Sequence, residues 1–177
     1  MEIIRDIFNA AKVIQLDSHY DNRGKMTVIT SADAFKTLGI PFDQKETRIY
    51  TMEKKGTFFG IHYRDIEAPM AKVVSVIQGK GMDYLIDLRR NSPTYLKWES
   101  IELSPENGRA VYIPAGIGHG FISLEKNTIQ LFEINASGKD GLSKRLNYME
   151  PQIGLKLATE VKEISEYDIA APYLEEW

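Results

Sequence analysis

AKVVSVIQGKGMDYLIDLR, residues 71–89, contains two runs of β-branched and aromatic residues separated by Gly79-Lys80-Gly81. Such runs, interrupted by glycines, predict two strands joined by a tight connection. Seven further runs of the same kind occur along the chain, at residues 25–31, 45–54, 57–64, 94–103, 109–115, 118–125 and 127–135. Strand candidates at this short spacing predict an all-β protein, an antiparallel β-sandwich, jelly roll or barrel.

Helices are predicted only as short elements near the ends and in one insert. Residues 31–40 begin at Ser31, a capping residue type, and have Gly39 near the end. The tail, residues 164–177, is compatible with a turn or a short helix over the sheet. The chain has no linker, repeat or low-complexity tract, so we expect a single domain over residues 1–177.

Composition narrows the possible functions. The hydrophobic fraction of 43% and the charged fraction of 27% are those of an ordinary globular protein. A net charge of -3 argues against nucleic acid or an anionic membrane as the partner, and favours a small molecule. Without cysteine, the chain has no thiol nucleophile and no thiolate metal ligand. The N-terminal residues lack the features of a signal peptide, and no apolar stretch approaches about 20 residues, so we expect a cytoplasmic protein.

His62 and His119 are the candidate chemical groups. If residues 57–64 form a regular strand, His62 shares a face with Phe58 and Arg64. Phe59 would then lie on the opposite face, and Gly60 would leave room for a ligand beside His62. Buried charges of this kind are costly unless they pair with each other or serve a ligand.

Three interpretations of the histidines remain open on residue pattern alone. They are hydrogen-bonded structural residues, metal ligands, or acid/base catalysts. A metal site is disfavoured because Arg64 stands two residues after His62, where a second histidine ligand would be expected, and His19 lies beside an early turn. Asp83 is either a partner of His119 or a structural carboxylate, and Asp87 is expected to be salt-bridged with its neighbouring arginines.

A series of motifs resembles the dTDP-4-dehydrorhamnose 3,5-epimerase family. In order they are DNRG (21–24), GIHY (60–63), AK (71–72), DYLIDLRRNSPTYLKW (83–98), ELSPEN (102–107), IPAGIGHGF (113–121) and SEYDIAAPYL (165–174). The resemblance implies a cupin-type jelly roll, usually a homodimer, that works without metal or redox cofactor. It also implies an isomerase acting on a nucleotide-linked 4-keto-6-deoxy sugar, in the synthesis of cell-surface polysaccharide or a glycosylated metabolite.

The resemblance also implies roles for individual residues. His62 matches the base that removes the proton next to the ketone, and Asp168 matches the aspartate that orients it. Lys72 and His119 match residues near the sugar ketone, with Lys72 stabilising the enolate. Arg23 matches an arginine that contacts the nucleotide phosphate.

The chain departs from the family at several substrate positions. Phe132 occupies the place of the tyrosine thought to be the general acid, Phe59 that of a phosphate-binding arginine, and Arg64 that of a glutamine. Other family side chains are replaced at Thr47, Ile49 and Gly138. Because phenylalanine cannot donate a proton, we keep three outcomes: a 3,5-epimerase, an epimerase of one centre, or a noncatalytic nucleotide-sugar-binding cupin. Tyr50, Tyr63 and Arg64 are the groups that could replace the acid.

Overall fold

The computed structural model describes residues 1–67, 70–136 and 143–174. Their strands are β1 Glu2–Ile7, β2 Ala11–Gln15, β3 Ser18–Asp21, β4 Gly24–Thr27, β5 Glu46–Met52, β6 Phe58–Tyr63, β7 Lys72–Gln78, β8 Gly81–Asp87, β9 Trp98–Leu103, β10 Arg109–Ile113, β11 Ile117–Ser123, β12 Thr128–Ile134 and β13 Lys144–Arg145. Two short helices accompany them, α1 Ala32–Thr37 and α2 Glu166–Ile169.

The strands form two antiparallel sheets that face each other. The six-stranded sheet has the order β1-β2-β10-β7-β12-β5, and the five-stranded sheet has the order β13-β6-β11-β8-β9. Strands β3 and β4 make a separate hairpin. The two runs around Gly79 and Gly81 both form strands, but β7 and β8 belong to different sheets. The connection between them therefore crosses the sandwich, and the predicted all-β antiparallel sandwich is confirmed.

The inner faces of the two sheets enclose the main core. Its buried members include Val74 and Val111 from the six-stranded sheet, and Leu85 and Phe121 from the five-stranded sheet. Full burial of each such side chain stabilises the fold by roughly 1.5–3 kcal/mol. Since the strand period is two, every second residue of each central strand points into this interior.

Additional segments cover the outer faces. Residues around α1 pack on the six-stranded sheet, where the ring of Phe42 lies 5.8 Å from that of Phe35 and 6.3 Å from that of Tyr112. The segment from Leu146 to Leu174 packs on the five-stranded sheet. This covering segment includes α2, and it therefore brings residues from the end of the chain to strand β6.

The structure differs from the predicted elements at three places. The N-terminal residues form β1 and β2, which the sequence pattern did not reveal because the first five residues of β1 are exposed. The predicted strand 94–103 begins only at Trp98. Strands β3 and β13 are not predicted by the sequence pattern, since they are only four and two residues long. The two helices fall at the predicted insert and in the C-terminal tail. Neither helix of the described residues is long or apolar enough to cross a bilayer.

Candidate active site

An extra residue in β6 decides which side chains face the interior. Across β6 and β11, His62 pairs with His119 and Phe59 pairs with Phe121, so three steps on one strand match two on the other. This bulge turns Phe59 to the same side as His62, and their rings stack at 6.3 Å. Phe58 instead packs in the outer cluster. The expectation that Phe58 shares a face with His62 is wrong, because it assumed regular alternation.

Gly60 is needed for close backbone approach and does not make room for a ligand. Its φ is +107°, and a Cβ there would lie 2.5 Å from the carbonyl oxygen of His119 and 2.7 Å from Cα of Gly120. The space beside Gly60 is thus already filled by β11. The predicted ligand space next to this glycine is wrong, and the role of Gly60 is to hold the backbones of His62 and His119 close together.

His62 forms the first polar pair of the site with Asp168. Nε2 of His62 lies 2.7 Å from Oδ1 of Asp168, and the backbone N–H of Gly60 donates to Oδ2 at 3.2 Å. Burial alone would raise the pKa of Asp168, but the hydrogen bonds, led by that from His62, lower it below its ordinary value. An ionised Asp168 accepts a hydrogen bond from Nε2–H, which fixes the tautomer and leaves Nδ1 of His62 as the basic nitrogen.

Lys72, His119 and Asp83 form the second polar group. Nζ of Lys72 lies 3.3 Å from Nδ1 of His119, and Nε2 of His119 lies 2.5 Å from Oδ1 of Asp83. Lys72 donates to Nδ1, and Nε2–H donates to the carboxylate, which is the arrangement of a neutral imidazole. Of the two possibilities for Asp83, the structure shows the partner of His119.

The electrostatics of this second group depend on burial. Burial lowers the pKa of Lys72 to about 8, Asp83 opposes the shift, and the charge of Arg64 adds to it. Burial also lowers the pKa of His119 below its ordinary value, against the opposing effect of Asp83. Lys72 therefore supplies the positive charge at neutral pH, and the buried imidazole of His119 stays neutral between Lys72 and Asp83.

His62 and Lys72 come from opposite walls of the sandwich. His62 and His119 are neighbours on the five-stranded sheet, and Lys72 comes from the six-stranded sheet, where it pairs with Ile113 and Ile134. The side chain of His62 is 25% exposed. A ligand that enters the interior thus meets a base on one side and a cation on the other, which is an arrangement suited to moving a proton next to a ketone.

Strand β5 turns a different pair of side chains toward the inner face than the sequence indicated, at a sheet edge where both remain partly exposed and Arg48 pairs with Glu46. Phe132 pairs with the inward-facing Val74 on one side and with Arg48 on the other, so Arg48 shares its face. Tyr50, two residues on, also points inward and its ring lies 5.4 Å from that of Phe59. Thr47 and Ile49 face outward. Motif spacing points to Thr47 and Ile49 as the substrate positions of this strand, and only the register between β5 and β12 reveals Arg48 and Tyr50.

Arg23 lies away from this cluster. Its side chain is 85% exposed and pairs with Asp21 on the β3–β4 hairpin. The hairpin follows Gln15, which pairs with Arg109 at the start of β10. Lys72 pairs with Ile113 at the other end of the same strand. Five strand residues separate the two ends, about 13–17 Å. Within one chain, Arg23 is not brought together with Lys72.

Two charged positions lie at the rim. Arg64 follows β6, and its Nη2 approaches Sδ of Met70 at 3.9 Å.

Asp87 accepts hydrogen bonds from Arg89, Ser92 and Thr94. Burial alone would raise the pKa of Asp87, but these bonds lower it to about 2. The expected salt bridge of Asp87 is confirmed, and it holds the loop after β8.

A broad groove of about 1510 Å³ lies beside the cluster. Arg64, Arg145 and Tyr167 are among its lining residues, whereas His62, Lys72 and His119 are not. The ring of Tyr167 lies 6.5 Å from that of His62, so the groove borders the cluster. Among the residues that the structure describes, a base, its carboxylate and a cation converge at the polar cluster and not along the groove. No group of three or more His, Cys, Asp or Glu side chains in the described ranges is arranged to hold a metal.

Comparison with known proteins gives matches over most of the chain. The family model dTDP-4-dehydrorhamnose 3,5-epimerase matches residues 7–176. A dTDP-4-dehydrorhamnose 3,5-epimerase of Methanothermobacter thermautotrophicus is 30% identical, over 93% of this chain and 90% of that protein. A dTDP-4-dehydro-6-deoxyglucose 3-epimerase of a Streptomyces species is 28% identical, over 88% of this chain and 80% of that protein.

A solved structure extends the comparison to the fold. The crystal structure of dTDP-4-dehydrorhamnose 3,5-epimerase from Bacillus anthracis, with TDP and PPi bound, superimposes with a TM-score of 0.92. The two proteins are 25% identical, and the match covers 98% of this chain and 99% of that one. The likeness confirms the predicted jelly-roll fold.

Proposed function

Because this chain belongs to the dTDP-4-dehydrorhamnose 3,5-epimerase family, we propose that it epimerises a 4-keto-6-deoxy sugar linked to a nucleoside diphosphate, with dTDP as the nucleotide. The observation that carries the proposal is the hydrogen bond of 2.7 Å between His62 and Asp168 at the edge of a polar interior. C3, C5 or both are the reacting centres, since each lies next to the ketone at C4. The relatives include an enzyme named as a 3-epimerase and one named as a 3,5-epimerase.

The first step is removal of a proton from the carbon next to the ketone. Nδ1 of His62 accepts that proton, and the imidazolium that forms is stabilised by the carboxylate of Asp168. A positioned base of this kind contributes about 10²- to 10⁴-fold to the rate. Asp168 also holds the ring in the useful tautomer, so its role is positional as well as electrostatic.

Removal of this proton places negative charge on the ketone oxygen. Lys72 donates to that oxygen from the opposite sheet and stabilises the enolate, an effect commonly worth about 10²- to 10³-fold per donor. His119 holds Lys72, because its Nδ1 accepts from Nζ and its Nε2–H is used by Asp83. We therefore assign His119 to positioning Lys72, with no N–H left for the ketone itself.

Substrate binding requires cations for the diphosphate. Phe59 stands where the family has an arginine on β6, and we assign the diphosphate to Arg48, which shares the face of Phe132, and to Arg64, which follows β6. We propose that Arg23 reaches the site of a second copy in a homodimer. The support for this is its exposure at the opposite end of its own sandwich, together with the exposed Ile49, 60% accessible, on the outer face of the six-stranded sheet.

A noncatalytic binding protein is the second candidate. Phe132 cannot donate a proton, and Phe59 carries no charge, so two groups that the family uses are absent. Such a protein would keep the cavity and bind a nucleotide sugar without changing it. The same experiment separates the two candidates.

The test is hydrogen exchange in D₂O with dTDP-4-keto-6-deoxyglucose, followed at C3 and C5 by NMR, and repeated with the GDP and CDP analogues. We expect deuterium at one or both carbons with the wild-type protein. In His62→Ala the exchange should fall at least about 100-fold, whereas dTDP binding measured by calorimetry should stay unchanged. Binding without exchange on any substrate would establish the noncatalytic candidate, and undiminished exchange in the variant would refute the assignment of His62 as the base.

Three further expectations stay predictions. They are the single-domain organisation over residues 1–177, the cytoplasmic location without metal or redox cofactor, and the part played in making polysaccharide or a glycosylated metabolite.

A further inference from the structure

We propose that Tyr50 is the general acid of this protein and protonates the enolate from the face opposite His62. The proposal rests on the proposed function, since it concerns the second half of the same reaction. Inversion of a carbon needs a proton donor on the side away from the base. Phe132, at the position where the family has a tyrosine, has no hydroxyl to donate.

The other candidate donors do not meet this requirement. Tyr63 packs in the outer cluster, and burial raises its pKa to about 12. The guanidinium of Arg64 holds its protons too strongly to act as an acid. Lys72 is already directed to the ketone oxygen and bound to His119.

Tyr50 is placed on the correct wall. It belongs to β5 of the six-stranded sheet, whereas His62 belongs to the five-stranded sheet. The ring of Phe59 connects them, with centroids 5.4 Å from Tyr50 and 6.3 Å from His62. Tyr50 is 46% exposed, so its hydroxyl can reach both a bound sugar and solvent. A sugar bound between the two sheets next to Phe59 would lie between the wall that carries Tyr50 and the wall that carries His62.

Tyr50 is also the near neighbour of the missing tyrosine. Phe132 pairs with Arg48, and Tyr50 is two residues further along the same strand on the same face. Such diagonal neighbours lie about 7–8 Å apart, within reach of an aromatic side chain. The hydroxyl of Tyr50 on β5 can therefore reach the region that the family tyrosine on β12, at position 132, occupies.

A buried amide beside Tyr50 gives independent support. Gln130 pairs directly with Tyr50 across β12 and β5 and is 0% exposed. Neither amide atom has a hydrogen-bond partner within the part of the chain described. An unpaired buried amide is costly, and its N–H groups are suited to stabilise a phenolate. The amide is therefore a partner available to Tyr50 after the proton has left.

The proposed step balances in protons and electrons. The O–H bond of Tyr50 breaks and a C–H bond forms at the enolate carbon, while the enolate electron pair returns to give the ketone. The phenolate recovers a proton from solvent. His62 releases to solvent the proton that it took from the substrate, so the enzyme returns to its starting state.

The test separates proton removal from inversion. In D₂O, Tyr50→Phe should keep deuterium exchange at the reacting carbon within about 10-fold of wild type, because His62 can return a deuteron to the same face. Formation of the inverted sugar should fall about 100-fold or more. Adding Phe132→Tyr to this variant should restore inversion, because it returns a hydroxyl to the family position.

Tyr167→Phe is the matched control. Tyr167 is 50% exposed and its ring lies 6.5 Å from that of His62, but it comes from α2 on the same side as Asp168. Both exchange and inversion should stay at the wild-type level in this variant. Inversion at the wild-type rate in Tyr50→Phe would overturn the proposal, as would loss of exchange and inversion together without rescue by Phe132→Tyr. Absence of exchange in the wild-type protein would instead refute the proposed function.

Discussion

Replacement of Asp168 by asparagine tests how His62 is made basic. The side chain keeps its shape, but its charge is lost and its amide has only one oxygen. If that oxygen still accepts from the backbone N–H of Gly60, the NH₂ group faces Nε2 of His62. Nε2 then becomes an acceptor, the proton moves to Nδ1, and the nitrogen that should remove the substrate proton is blocked.

The size of the effect can be worked out from the contacts. The hydrogen bond between His62 and the 4% exposed carboxylate of Asp168 is charge-assisted and worth about 1.5–3 kcal/mol. At 1.36 kcal/mol per factor of ten, its loss alone slows the reaction about 10- to 160-fold. The wrong tautomer adds to this, and the corresponding aspartate-to-asparagine change in a serine protease triad costs about 10⁴-fold. We therefore expect exchange to fall between about 10²- and 10⁴-fold.

The assay is deuterium exchange at saturating substrate, with dTDP affinity and thermal stability measured on the same samples. Glu166→Gln is the control, since it removes an exposed carboxylate from the same helix, α2. Exchange by Asp168→Asn within about threefold of wild type, with the protein folded and binding, would refute the reasoning that Asp168 sets the tautomer.

Three further predictions follow from the same site. The rate of exchange should decline above pH about 8 as Lys72 loses its proton. Lys72→Arg should be slower than wild type but should not show this alkaline decline, because arginine keeps its proton. The same decline in Lys72→Arg would show that another group causes it. Because the pKa of Lys72 is lowered from 10.5, the unfolded chain binds more protons between about pH 8 and 10.5, so the free energy of unfolding should rise over that interval in urea titrations. Gly60→Ala should destabilise the protein by about 1–3 kcal/mol more than Gly39→Ala, since only the former methyl group meets the carbonyl of His119. Equal shifts in melting temperature would show that φ strain alone explains the cost.

The sequence predicted the parts of the fold that follow a regular period. Strands such as β7 and β8 were found because their β-branched runs are long and bounded by Gly79 and Gly81. β1 was not found, because most of its side chains are exposed and show no alternation of burial. The assignment of residues to faces failed at Phe59, since one extra residue in β6 reverses the alternation. The local sign of the bulge is Gly60 within the strand, which the sequence analysis interpreted as room for a ligand.

The sequence predicted the site residues that belong to recognisable motifs. It did not predict those that reach the inner face through the pairing register of two strands. His62 and Asp168 are 106 residues apart, and only the resemblance to a family connected them before the structure did. Arg48 and Tyr50 face the interior because of the pairing between β5 and β12, a long-range property that spacing along the chain does not contain. For the same reason the sequence could suggest Tyr50 as an acid but could not choose it over Tyr63.

The division of the proposed base and the proposed cation between two sheets makes the reaction sensitive to the core. The distance from His62 to Lys72 is not fixed by any single element, since it is set by the separation of the inner faces. Side chains far from the substrate, such as Val74 and Leu85, act as spacers between base and cation. A substitution that lets the sheets move together or apart by a fraction of an ångström would change the rate before it changed the fold. A change of sugar preference in this fold is therefore constrained by the apolar core side chains between the two sheets as well as by the residues that contact the sugar.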